Sequence, residues 1–201
     1  FARREALPKE LKNTILGYSF DLVQTFVTVM MDARFEEITQ AADAPILGGS
    51  MGEGGIGICP TMEATTFSAT AHDGRTDDAF RTIYTEMERM RRYGFTAGEF
   101  ERAKQEILRW AERSYTNRND VKNDDYAQRY LDHYAQGTSM MDAETEWQLD
   151  QMFLNSLTVD DVNTAYASMA KPNENLVIRV RSPKKEGLEV PSQEDILAIK
   201  A

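Results

Sequence analysis

Between Gly48 and Pro60 the chain reads GGSMGEGGIGICP, and within it GEGGIG matches G-x-G-x-x-G letter for letter. In a dinucleotide-binding fold those glycines let a loop wrap a pyrophosphate. The helix that follows supplies free N–H groups and the positive end of its dipole. That chemistry needs a strand before the loop and a helix after it. Here the helical periodicity precedes Gly52, strand-like residues follow Gly57, and Glu53 sets a negative charge where the pyrophosphate would sit. About twenty residues further on, where a ribose-binding acid would end a second strand, the chain is still strand-like near His72. The reading is a flexible connector between helix and strand. A nucleotide-binding module on Gly52–Gly57 is the weaker alternative.

Other residues capable of chemistry are sparse. The histidines are His72 and His133, in HDGRT and HYAQG. A zinc hydrolase site brings two histidines to one helical face with an adjacent glutamate, and neither segment supplies them. His72 reads as a polar strand end and His133 as a helix-surface residue. The acid pairs Glu36–Glu37, Asp77–Asp78, Asp124–Asp125 and Asp160–Asp161 are adjacent in sequence. Neighbours on a helix do not face one another, so these read as solvated or capping residues. No serine lies in a G-x-S-x-G elbow. The lone Cys59 reads as a packed strand residue. Tyr126, Tyr130 and Tyr134 recur at i, i+4 and read as a packing stripe. The residues alone give no catalytic set and no metal ligands, and leave any substrate-binding residues unknown.

Composition narrows the partners. The 201 residues carry a net charge of −10 and are 41% hydrophobic. An acidic surface repels phosphate backbones, which makes nucleic acid a poor partner. No apolar run is long enough to cross a membrane. FARREALPKE shows no signal-peptide core.

The elements that would position any site follow from periodicity. Leu11, Ile15, Leu22, Phe26, Val29, Ala33 and Ile38 mark one long helix from Leu11 to about Ala42, with Gly17 as a weak spot. The residue before Pro45 is pushed out of helix. Strands are expected near Ile56–Cys59 and Ala64–Ala71, adjacent to each other, with Pro60 at an edge or bulge. A helix then starts with Asp73 or Thr76 as its cap and Asp77 and Asp78 in its first turn. Ala79, Ile83, Met87 and Met90 form its apolar stripe, and Gly94 its left-handed terminus. Thr96 and Glu99 form a capping box for a helix through Phe100, Ala103, Ile107, Trp110 and Ala111. Further helices are read up to Gly137, from a Ser139 cap through Trp147 and Phe153, and from a Thr158 cap with Asp161. NENLVIRVRSP reads as a final strand, and a charged tail ends in a helical turn. Strands that do not alternate with helices argue for α+β: an antiparallel sheet covered by helices, within one domain over 1–201.

At GFTAGEFERAKQEIL the chain resembles the pitrilysin and insulinase family of zinc metallopeptidases, which share their fold with the mitochondrial processing peptidase. MMDARFEEITQAADAPI resembles the family's helix running into its proline segment. LTVDDVNTAYASMAKPNENLVIRVRSP resembles a late helix and strand, and VPSQEDILAI a tail found in large bacterial members. The resemblance implies an antiparallel sheet covered on one side by several helices, here short of the strands that precede the long helix. It also implies a chain cut from a longer protein. Family enzymes repeat such domains, and one of them carries H-x-x-E-H with a more distant glutamate. This sequence has no H-x-x-E-H. The implied role is a non-catalytic domain that helps close a peptide chamber, with zinc in the catalytic domain of the parent protein and none in this chain. That catalytic domain and, in the parent, a peptide substrate are the implied partners; the implied location is periplasm or cell envelope. An inactive homologue acting as scaffold or assembly subunit is the alternative. In some relatives an arginine of the R-x-E helix holds substrate together with a tyrosine seven residues on. Arg34 matches the arginine, but Ala41 stands at the tyrosine position, and the role is not carried over.

Overall fold

The computed structural model describes residues 2–56, 59–169, 176–183, 185, 186, 188 and 190–200, with backbone alone for 2–5, 56, 59–61, 168 and 169. Strand β1 (Ala2–Glu5) comes first, then a short helix α1 (Lys9–Lys12) and the long helix α2 (Ile15–Thr39). The hairpin strands β2 (Ile46–Ile56) and β3 (Cys59–Ala71) follow, then helices α3 (Thr76–Tyr93), α4 (Ala97–Thr116), α5 (Asn123–Gln136), α6 (Ala143–Ser156), α7 (Val159–Met169) and α8 (Gln193–Lys200). The fold is helix-rich α+β with an antiparallel sheet, as the sequence predicts.

The single helix expected from Leu11 to Ala42 is two. Thr14 divides them: its hydroxyl donates to the Leu11 carbonyl at 2.6 Å and accepts the Gly17 N–H at 3.2 Å. A Cβ on Gly17 would lie 2.4 Å from the Leu11 carbonyl oxygen. The glycine is there to admit the end of α1, and the sequence alone shows only its low helix propensity. Beyond it α2 buries Leu22, Val23, Phe26, Val27, Met30, Met31 and Phe35, paired ridges one turn apart that face the sheet and α4.

The sheet order is β1-β3-β2, antiparallel throughout. The glycine stretch is not a connector. It forms most of β2, paired with β3 from Ile46↔Ala71 to Ile56↔Cys59. Glycine is a poor strand former by itself, but here it permits close approach. A Cβ on Gly49 would stand 2.8 Å from Cγ of Phe35, so α2 can lie tight against β2 only if Gly49 has no side chain. Pro60 falls in the register irregularity between Gly55 and Ile56, beyond the end of β1's pairing at Met62, as a residue lacking an N–H should. Strand β1 was not expected. Met51 and Ile46 are buried and Phe67, Ala69 and Ala71 pack against the same core, whereas Thr66, Ser68 and Thr70 are exposed. Helices therefore cover this one face.

Two caps differ from expectation. Helix α3 starts at Thr76 behind Arg75, whose side chain makes no cap bond; neither Asp73 nor Thr76 caps it. Helix α6 is capped by Asp142, which accepts the Thr145 N–H at 2.7 Å, and not by Ser139. The Asp142 carboxylate stands three residues ahead of the N–H it accepts, the spacing of an N-cap side chain, and the Ser139 hydroxyl lies too far back. The tail holds the two-turn helix α8, capped by Ser192 and Asp195 in a reciprocal pair. The Thr158–Asp161 and Thr96–Glu99 pairs form as predicted. The expected last strand is reduced to a single bridge at Leu176, followed by Val177–Pro183 without strand pairing; Asn173, Glu174 and Asn175 lie outside the described residues. The tyrosine stripe of α5 does not pack: Tyr130 is 59% and Tyr134 84% exposed, and α5 buries no residue.

Candidate functional site

The motif GFT that carries the resemblance builds a rigid corner between α3 and α4. Gly94 has φ 65°, a left-handed conformation that only glycine adopts without strain, and a Cβ there would lie 2.5 Å from Asn163 Oδ1. Asn163 of α7 clamps the next residue at two points. Its Oδ1 accepts the Phe95 N–H at 2.9 Å and its Nδ2 donates to the Phe95 carbonyl at 3.1 Å. Thr96 and Glu99 then close the capping box. The Glu99 carboxylate accepts both the Thr96 N–H (2.7 Å) and the Thr96 hydroxyl (2.9 Å).

Arg34 of α2 locks this corner. Its Nε donates to Glu99 Oε1 at 2.5 Å, and its Nη2 donates to Glu99 Oε2 at 3.1 Å and to the Gly94 carbonyl at 3.0 Å. The guanidinium lies 4.7 Å from the centroid of the Phe95 ring, and its Nη1 is 3.8 Å from Glu86 Oε2. Burial pushes the Glu99 carboxyl up, but the Arg34 and Thr96 hydrogen bonds outweigh it and hold Glu99 down to about 2. Bidentate pairing of this kind fixes geometry as well as charge. Arg34 is thus spent on the fold, and its side chain is only 11% exposed. Nη1 of Arg34 and Oε2 of Glu86 are buried with no hydrogen-bond partner.

The residues weighed for chemistry are dispersed. Glu53 accepts the Thr65 hydroxyl at 2.7 Å across the β2–β3 pair. Gly52 and Gly54 pair with Thr66 and Ala64. A strand whose backbone is committed to a ladder offers no phosphate cradle; Gly57 lies outside the described residues. His72 directly follows β3, and its carbonyl accepts the Arg75 N–H at 3.0 Å. His133 Nδ1 donates to the Thr138 carbonyl at 2.8 Å, which fixes the ring beside the end of α5. Cys59 lies at the start of β3. Among the described residues no three His, Cys, Asp or Glu side chains are placed to hold a metal ion, and no helix is long and apolar enough to cross a membrane. Of the acid pairs, Asp161 caps its helix, Asp78 accepts from Arg75 Nε at 2.8 Å, and Glu37 stands 3.9 Å from Arg102.

Two of the concave regions among the described residues stand out. One, of about 480 Å³, lies between α2, α4 and α6 and is lined by Tyr18, Asp21, Tyr115, Trp147 and Asp150. The Tyr18 hydroxyl donates to Asp150 at 2.5 Å. Burial, then the Asp150 hydrogen bond and charge, raise the Tyr18 phenol. Burial also raises both the Asp150 and the Asp21 carboxyls. This is an acidic, aromatic recess. The other, of about 440 Å³, runs along β3 between α3 and the extended segment Leu176–Pro183. Nothing in the local sequence marks either recess, because each is walled by elements distant in sequence.

No family model matches the chain, and no curated protein matches it significantly. Solved structures do. The periplasmic protease PqqL from Escherichia coli superposes at TM-score 0.79 and 18% identity, over 99% of this chain and 22% of its own. A predicted insulinase family protease from Yersinia pestis superposes at TM-score 0.76 and 14% identity, over 99% of this chain and 42% of its own. The ferredoxin protease FusC superposes at TM-score 0.64 and 17% identity, over 99% of this chain and 22% of its own. The chain spans less than half the length of each of these three. Nearly every described element lies within the superposition, and the chain therefore has the fold of a part of the insulinase-type proteases.

Proposed function

We propose that this chain is a non-catalytic domain of a pitrilysin-type zinc metalloendopeptidase, contributing a wall of the peptide-holding chamber. The observation that supports it is a fold match over 99% of this chain but 22% of PqqL, in a sequence without H-x-x-E-H. The parent would hydrolyse peptides through a zinc-bound water. Its zinc does not fit the residues of this chain. His133 lies on α5 with its Nδ1 tied to the Thr138 carbonyl, His72 lies just after β3, and no three ligating side chains converge among the described residues. The chain's own contribution is shape. The Arg34–Glu99 clasp fixes the angle between α2, α3 and α4, and the sheet presents Thr66, Ser68 and Thr70 outward. The catalytic domain of the same protein is its partner. The domain extends over 1–201.

The test is direct. The chain is stripped with chelator, reloaded with zinc, and assayed for bound metal by mass spectrometry and for cleavage of an unfolded fluorogenic peptide. Neither stoichiometric zinc nor cleavage is expected. One equivalent of zinc together with cleavage would overturn the reading. An H-x-x-E-H upstream in the same reading frame supports a protease; a parent lacking it throughout supports a scaffold subunit instead.

A further inference from the structure

The recess of about 480 Å³ between α2, α4 and α6 has the volume of a small-ligand site. Both tryptophans of the chain, Trp110 and Trp147, stand in its walls. Four carboxylates line it, Asp21, Asp132, Glu146 and Asp150, against one cation, Arg129. Two of the four are already answered. Arg129 Nη2 stands 3.6 Å from Glu146 Oε2, and Gln128 Nε2 donates to Asp132 Oδ1 at 2.8 Å. Asp150 has no such partner. Its Oδ1 accepts the neutral Tyr18 hydroxyl at 2.5 Å, and its Oδ2 has no partner among the described residues. Burial without a counter-ion lifts its carboxyl above the ordinary value. Asp21 stands one turn beyond Tyr18 on α2, and nearby Lys12 is bonded to Glu63 at 3.0 Å. A carboxylate partly withdrawn from water without a counter-ion costs free energy that a bound cation offsets.

We propose that this recess is a binding site for an aliphatic ammonium group, of the length of a lysine side chain, with Asp150 as its counter-ion. The sign of the charge follows from the lining, since surplus carboxylates repel phosphates and carboxylates and attract cations. The aromatic walls suit the same ligand. Among the described residues the cations seated on rings lie over Phe95, Phe100 and Tyr115, and none lies over either tryptophan. Trp147 is held by its stack on Tyr115, with centroids 5.5 Å apart. An indole face attracts an ammonium and packs its methylene stem. The hydrogen bonding selects ammonium over guanidinium. A guanidinium fork binds both oxygens of a carboxylate, and Tyr18 already holds Oδ1 of Asp150. A compact ammonium needs only Oδ2. The inference rests on the recess alone and stands apart from the protease reading.

The test titrates the 201-residue chain with Nα-acetyl-lysine N-methylamide and with cadaverine, and follows tryptophan emission, which reports on the recess because both tryptophans line it. A saturable change with a dissociation constant of about 1 mM or below is expected for at least one probe. Saturation by the lysine probe places the ammonium on a polypeptide, and saturation by cadaverine alone makes it a free amine; either supports the site. Asp150→Asn keeps an acceptor for Tyr18 and should weaken binding of the saturating probe about tenfold. Asp21→Asn should weaken it about threefold, and serves as the second variant if Asp150→Asn does not fold. Asp160→Asn, on α7 and outside the recess, should leave it unchanged. The proposal is overturned if neither probe saturates, or if Asp160→Asn weakens binding as much as the recess variants do. It is also overturned if the uncharged Nε-acetylated lysine probe, or the arginine analogue, binds as tightly as the better of the two amines.

Discussion

Arg34 and Glu99 stand 65 residues apart in sequence and form a bidentate, largely buried pair, with Nε to Oε1 at 2.5 Å and Nη2 to Oε2 at 3.1 Å. The same carboxylate caps α4. One side chain thus joins the end of α3, the start of α4 and the middle of α2.

Removing one partner should cost more than removing both. Arg34→Ala leaves the largely buried Glu99 carboxylate without its cation and Glu86 with Arg89 alone, and a loss of about 3–5 kcal/mol is expected. In urea denaturation the double variant Arg34→Ala/Glu99→Ala should lose less than the sum of the single losses. Strictly additive losses would show that the pair is not coupled.

Acid should weaken the same clasp. The folded Glu99 carboxyl is held at about 2, below its ordinary 4.5. A depressed carboxyl stabilises the fold above the ordinary value and loses that stabilisation as pH falls toward the folded value. Stability should therefore decline between about pH 4.5 and pH 2. The Glu99→Gln variant should start lower and show a flatter decline across that window, as measured by chemical denaturation at each pH. An unchanged slope would remove Glu99 from the account.

Asp21 carries the opposite sign. Burial raises its carboxyl, with Lys12 opposing and Glu63 reinforcing. The folded protein thus holds that proton more tightly than the unfolded chain does, and the ionised form weighs against the fold as pH rises. Asp21→Asn should raise stability slightly at neutral pH, and the gain should vanish in acid where Asp21 is protonated. A loss of stability at neutral pH would mean that the carboxylate has a structural role.

Gly49 and Gly52 separate contact from composition. A Cβ on Gly49 meets the Phe35 ring at 2.8 Å, and one on Gly52 meets nothing within 4 Å. Gly49→Ala should cost about 1–3 kcal/mol through overpacking, while Gly52→Ala should be close to neutral in thermal denaturation. Similar effects at both positions would mean that the α2–β2 approach is looser than the structure has it.

Local signals in the sequence determined the helices and several of their ends. The Thr96–Glu99 and Thr158–Asp161 pairs lie within one turn, as does the Gly94 terminus, so their chemistry can be read from adjacent letters. The resemblance around GFTAGEFERAK also pointed to the right fold, because that corner is where several elements are locked together. The glycine stretch was misread because a strand's stability comes from its partner. Ile46–Ile56 is a strand only because β3 lies beside it and Phe35 above it, and glycine's own propensity argues the other way. The Tyr126–Tyr134 stripe was misread for a related reason: period shows which residues share a helix face, and only the tertiary arrangement decides whether that face is covered. The Arg34–Glu99 clasp, the Asn163 clamp and both recesses join residues dozens of positions apart. No local pattern encodes such pairings, and they exist only once packing has brought α2, α4 and α7 around one corner.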